Sequence, residues 1–68
     1  MSIQVNGNAI PLLNPKNLMD VLSQFQIDIE TPGVAIAINE NIISRKSWQN
    51  VLIHAGDVLE IIHAVQGG

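Results

Sequence analysis

The sequence predicts a small α+β roll, with one helix laid across one face of a mixed sheet of four to five strands. Three observations predict it. The first twelve residues alternate apolar and polar positions about Asn6-Gly7, one short stretch carries helical periodicity, and the remainder returns to short β-forming runs between turn residues. The chain has 68 residues, 47% of them hydrophobic, which suffices for one core and leaves no wall for a deep cleft of the usual size.

Asn-Gly is the dipeptide that best accepts the positive φ angles of a two-residue hairpin turn. With the turn at Asn6-Gly7, Ile3 pairs with Ile10 and Met1 with Leu12, so Met1, Ile3, Val5, Ile10 and Leu12 share one buried face. Pro11 falls on the opposite face, at a strand position that needs no donor. From Asn17 the period changes. Leu18, Val21, Leu22 and Phe25 form the stripe of one helix face, while Asp20, Ser23 and Gln24 point away. Asn17 with Asp20 resembles a capping pair, and Asn14 followed by Pro15 offers an alternative start one turn earlier. Residues 26–33 carry no assigned element and close on Thr31-Pro32-Gly33.

Residues 34–39 then place Val34, Ile36 and Ile38 on one face of a central strand and Ala35 and Ala37 on the other. Glu40 and Asn41 form a turn into a short strand at Ile42 and Ile43, and residues 45–50 are polar apart from Trp48, which anchors a satellite core beneath a loop. A last pair of strands, residues 51–53 and 58–65, flanks the turn His54-Ala55-Gly56-Asp57. The helix crosses over from the hairpin, and the two ends of the chain carry the most apolar alternation. The first and last strands are therefore expected side by side and parallel in the middle of the sheet. That arrangement is a β-grasp, with the domain in residues 1–65 and a flexible tail in residues 66–68.

Composition excludes several kinds of function. Without Cys the chain has no disulfide framework, thiolate metal site or thiol nucleophile. Three basic residues, Lys16, Arg45 and Lys46, stand against six acidic ones for a net charge of −3, and they form no aromatic-interleaved patch. Nucleic acid is thus a poor partner, and a protein with a basic docking surface fits better. The start lacks the basic and apolar regions of a leader, and no apolar stretch is long enough to cross a bilayer, so a cytoplasmic protein without membrane contact is expected. There is no P-loop, no GxGxxG and no paired histidine at ligand spacing. His54 reads as a solvated turn residue and His63 as an edge-exposed structural histidine. The expectation is a protein with no catalytic residue, bound cofactor or metal of its own.

The closing Gln66-Gly67-Gly68 carries the chemistry that the rest lacks: a backbone without side chains at its end, and a carboxylate. Three residues reach up to about 10 Å from a sheet, enough to enter another protein's channel. The strand and turn Ala37-Ile38-Asn39-Glu40-Asn41, the stretch Ile43-Ser44-Arg45 followed by Trp48, the turn Gly56-Asp57 and the closing Val65-Gln66-Gly67-Gly68 occur in an order and at a total length that together are specific. In them the chain resembles the ubiquitin-like sulfur carriers, most closely the ThiS family of thiamine biosynthesis. It departs from the family at Ser44, where proline is frequent, and at Gln66, where a small residue is common.

The resemblance implies that Gly68 is adenylated by an E1-like adenylyltransferase, which holds the ATP and Mg itself, while Gln66 and Gly67 thread its channel. A persulfide from a sulfurtransferase or cysteine desulfurase system then displaces AMP, and the resulting thiocarboxylate gives its sulfur to thiazole synthase. Docking is expected through the sheet face that the helix leaves open, where Ile62, Ala64, Ala35 and Ala37 form a modest apolar patch. The alternatives are the small subunit of molybdopterin synthase, a protein-conjugating modifier that uses the same C-terminal activation, and a passive interaction module with an inert tail.

Overall fold

In the computed structural model, which describes residues 1–64, Asn6 and Gly7 take φ of 51° and 85° and fold β1 (Ser2–Val5) back on β2 (Asn8–Pro11). Ile3 faces Ile10 as the hairpin register requires, and the ladder runs on through a 2.9 Å bond from the Leu12 N–H to the Met1 carbonyl. The two side chains at that last pair part company: Leu12 is buried, whereas Met1 is 91% exposed. Met1 stands at the open end of the sheet, where Leu13, Pro15, His54 and Ala55 rim a groove instead of covering it.

The chain then passes through a two-residue strand, β3 (Lys16–Asn17), into helix α1 (Leu18–Ser23). Asn17 ends the one and caps the other. Its Oδ1 accepts the Met19 N–H at 2.8 Å, which places the helix start at Asn17 and not at Asn14. Leu18, Val21 and Leu22 are buried, but Phe25, assigned to the same stripe, lies past the helix and is 39% exposed. The reason is local. Gln26 adopts a φ of 62°, the Gln26 N–H bonds the Ser23 carbonyl and the Ile27 N–H bonds the Leu22 carbonyl, so the helix closes in a Schellman arrangement. That turn sends Ile27 into the core in place of Phe25.

Strand β4 (Val34–Ile38) is followed by a turn at Asn39-Glu40, with φ of 50° and 73°, one residue earlier than the Glu40-Asn41 turn the sequence suggests. Asparagine tolerates left-handed backbone better than most residues. Here its Oδ1 also accepts the Val58 N–H at 2.9 Å, which holds the early turn in place. Asn41 instead opens β5 (Asn41–Ile43). Residues Arg45–Asn50, expected as a loop, wind into a 3-10 helix that carries Trp48 to the same core as Leu18, Ile36 and Leu59. Trp48 is thus a main-core residue and not a satellite anchor.

The last two strands, β6 (Leu52–Ile53) and β7 (Val58–His63), do not pair with each other. β6 pairs antiparallel with β3, while β7 runs parallel to β1 and antiparallel to β4. The five-stranded order is β2-β1-β7-β4-β5, which puts the first and last strands together in the middle, as expected for a β-grasp. His63 therefore ends a central strand and not an edge, although its side chain is exposed. The expected strand end and domain boundary at Val65, and the tail at Gln66, Gly67 and Gly68, fall outside the described residues.

Candidate functional site

Alternation along β7 makes two surfaces from one strand. Leu59 and Ile61 point into the core, while Val58, Glu60 and Ile62 face outward. Register with β4 sets Ala35 beside Ile62 and Ala37 beside Glu60, and β5 adds Ile42 on the far side of Ala37. Ile62 is 45% exposed and Ile42 67%. Ala35 and Ala64 are exposed as well. Ala37, expected in the same patch, is 4% exposed, because the longer side chains of its cross-strand neighbours Glu60 and Ile42 flank its single methyl group. The outward apolar surface is therefore Ile62, Ala35 and Ala64 with Ile42, interrupted by the carboxylate of Glu60. Ile42 was legible as an outward residue once its strand was set against β4, since a pairing register fixes which face each residue takes.

The exit of β7 lies at one edge of this face. The Ala64 N–H donates to the Gly33 carbonyl at 2.7 Å, and Gly33 holds a φ of 70° that residues with a Cβ rarely adopt. Arg45 steadies the loop that delivers Gly33: its guanidinium bonds the Ile29 carbonyl at 2.6 Å and the Val34 carbonyl at 3.1 Å and sits 4.4 Å from the centre of the Trp48 ring. The indole N–H bonds in turn to the Ile43 carbonyl at 3.1 Å. Arg45 and Trp48, noticed in the sequence only as a motif, are thus a post between the 3-10 helix and the start of β4.

The opposite end of β7 offers less chemistry. His54 begins a turn in which its N–H bonds the Asp57 carboxylate at 2.8 Å, and its ring stays 60% exposed with Nδ1 4.0 Å from the same carboxylate. Met1, Leu12, Leu13, Asn14, Pro15, His54 and Ala55 line an open groove of about 320 Å³ there. Among the described residues no cluster of His, Asp and Glu has the geometry to hold a metal ion, and no helix is long and apolar enough to cross a membrane.

Comparison with known proteins bears on the whole length. A family model described as the ThiS family matches residues 3–68. The chain is 28% identical over 68 residues to the sulfur carrier protein ThiS of Escherichia coli (strain K12), covering 100% of both chains. It is 31% identical over 64 residues to an uncharacterized protein, ycf40, of Trieres chinensis, covering 94% of this chain and 85% of the other. The crystal structure of a thiamine biosynthesis protein (ThiS) from Geobacter metallireducens superposes with a TM-score of 0.81 at 21% identity, over 100% of both chains. That likeness concerns the fold, and the fold is the β-grasp read above.

Proposed function

The chain belongs to the ThiS family, and on that premise we propose that it carries sulfur for thiamine biosynthesis as a thiocarboxylate on Gly68. The observation that carries the reading is a family match that extends through Gly67 and Gly68 in a chain without a single cysteine. The absence of cysteine fits the reading, because sulfur held as a thiocarboxylate on the main chain needs no thiol.

A carboxylate is a poor electrophile, so activation comes first. The Gly68 carboxylate attacks the α-phosphorus of ATP on an E1-like adenylyltransferase, and pyrophosphate leaves. A persulfide supplied by a sulfurtransferase or cysteine desulfurase system attacks the acyl-adenylate and expels AMP. A thiol of that system then takes the outer sulfur of the acyl disulfide, which leaves the Gly68 thiocarboxylate and a disulfide on the partner. The thiocarboxylate, ionised at neutral pH and a better nucleophile than the carboxylate, gives its sulfur to thiazole synthase. Throughout, this protein is a co-substrate without an active site, and the ATP and Mg belong to its partner, in the cytoplasm.

The structure supports a division of labour. The outward face with Ile62, Ala35, Ala64 and Ile42 offers an apolar docking surface, with Glu60 set to meet a basic group on the partner. Gln66 and Gly67 thread the partner's channel, and glycine at the last two positions passes it without a Cβ clash. Intact-mass measurement after incubation with the adenylating enzyme, ATP and a persulfide donor tests the reading. Replacement of one oxygen by sulfur on the C-terminal peptide is the expected result, and no change with active enzyme refutes it. Gly68→Ala and Gly67→Ala should lower loading by at least about tenfold while thermal unfolding stays that of the wild type. Transfer of the sulfur to thiazole synthase and not to a pterin precursor separates the thiamine role from that of a molybdopterin synthase subunit, and covalent adducts on lysines of other proteins would mark a modifier.

A further inference from the structure

Strand β1 stops at Val5, yet β7 continues past it, and the flank of β7 that β1 leaves is filled by one side chain. The Asn6 N–H makes the last backbone bond of that flank, to the Leu59 carbonyl at 3.0 Å. Beyond it, the Asn6 side chain takes over. Its Oδ1 accepts the Ile61 N–H at 2.8 Å and its Nδ2 donates to the Ile61 carbonyl at 3.3 Å, so a carboxamide occupies the place of the peptide group that a longer β1 would have supplied. Among the described residues, pairing of β7 past Ile61 is with β4 and its leading Gly33 alone.

The hairpin turn does not explain this pair of bonds. A two-residue turn of this type needs positive φ at its first position, which Asn, Asp and Gly all supply. Of these, Asn alone presents a donor and an acceptor on one planar group, the combination needed to meet both the N–H and the C=O of a single residue. Gly68 lies seven positions beyond Ile61, and two bonds on opposite flanks steer the last strand on the way, from the Asn6 carboxamide at Ile61 and from the Gly33 carbonyl at Ala64. Without the carboxamide, β7 past Leu59 would be held on its β4 flank alone and free to twist about it, and a misplacement of about 1 Å at a reacting centre can cost on the order of a hundredfold in rate.

We propose that Asn6 is a positioning residue for sulfur loading: its carboxamide holds β7 at Ile61, on the flank β1 has left, and so fixes the direction in which the C-terminal residues are presented to the adenylating partner. This rests on the carrier reading above. The role is distinct from docking, because Asn6 lies in the hairpin turn whereas Ile62, Ala35 and Ile42 lie on the outward face.

The test compares wild type with Asn6→Gly, which keeps the turn and loses the carboxamide, and Asn6→Asp, which keeps an acceptor for the Ile61 N–H but sets a carboxylate against the Ile61 carbonyl. Adenylation is assayed well below the unfolding transition of every variant. Asn6→Gly should lower kcat about tenfold, the worth of about one net hydrogen bond, with KM for the adenylating enzyme unchanged, and Asn6→Asp should fall between. In the isolated proteins, amide exchange should quicken at Ile61 in Asn6→Gly and stay slow at Ala64, whose N–H bonds to Gly33. A wild-type kcat in Asn6→Gly despite faster exchange at Ile61 overturns the positioning role, as does a loss confined to KM. Unchanged exchange at Ile61 overturns the clamp itself. Failure of the wild type to load sulfur would instead overturn the carrier reading, and with it the role assigned to the clamp.

Discussion

On β7, Leu59 and Ile61 are buried while Glu60 and Ile62, one residue along from each, face outward. The same contrast runs across the whole sheet. The inner face offers Ile3, Val5, Ile36, Ile38, Leu59 and Ile61 to one cluster with Leu18, Val21, Leu22, Trp48 and Ile53, so α1, the 3-10 helix and the β3–β6 ribbon all cover that side. The outer face carries small or mixed side chains and leaves Ile42 and Ile62 in solvent. Burial on the inner face supplies the folding free energy, so the outer face is free to be chosen for a partner. A sheet of five strands with one covered side can thereby be a rigid scaffold and a docking surface at once.

Substitutions on the two faces should therefore separate stability from partner binding. The largest effect is expected inside. Trp48→Ala removes a residue 1% exposed, its bond to the Ile43 carbonyl and the ring beneath Arg45, and should cost about 3–5 kcal/mol in urea unfolding. For a domain of this size such a loss approaches the whole stability. If Trp48→Ala unfolds with an unchanged midpoint, the inner face is not where the stability resides.

Next comes Ile62→Lys on the outer face, which would put a like charge against the basic partner surface proposed above. KM of the adenylating enzyme should rise about tenfold, the worth of one central interface contact, while unfolding free energy moves by less than about 1 kcal/mol. A variant that loses stability and keeps its KM would reverse the assignment of the two faces. The smallest effect belongs to Ile42→Thr at the sheet edge, a β-branched replacement at a residue 67% exposed. It should shift stability by no more than about 0.5 kcal/mol and raise KM less than Ile62→Lys does. A larger rise there than at Ile62 would move the centre of docking towards β5.

Much of the fold and of the exposure pattern on the open face is legible in the sequence, and the exceptions share a cause. Asn6-Gly7 announces its hairpin, because a turn is satisfied by groups a few residues away, whereas the choice between Asn14 and Asn17 as helix start fell to the bond from the Met19 N–H to the Asn17 carboxamide. Ile62 and Ala35 were assigned to the open face by period alone. Phe25 departs from its stripe because periodicity does not show where a helix closes, and Gln26 in left-handed conformation closes this one early. Ala37 departs from its patch because its burial depends on the length of Glu60 and Ile42, its cross-strand neighbours. Nothing in the segment 45–50 showed that Arg45 would reach back to Ile29 and Val34, or in residue 6 that its carboxamide would meet Ile61.

By itself, then, the sequence determined the β-grasp, the register of its first hairpin and the absence of any thiol, since each follows from local backbone preference, period or composition. Only the tertiary structure decided which strand pairs with β6, which residues of the open face remain exposed, and what holds the last strand beyond the end of β1. Those depend on contacts between residues up to 55 apart, such as Asn6 with Ile61. They form only when the helix crossover has brought the two ends of the chain side by side.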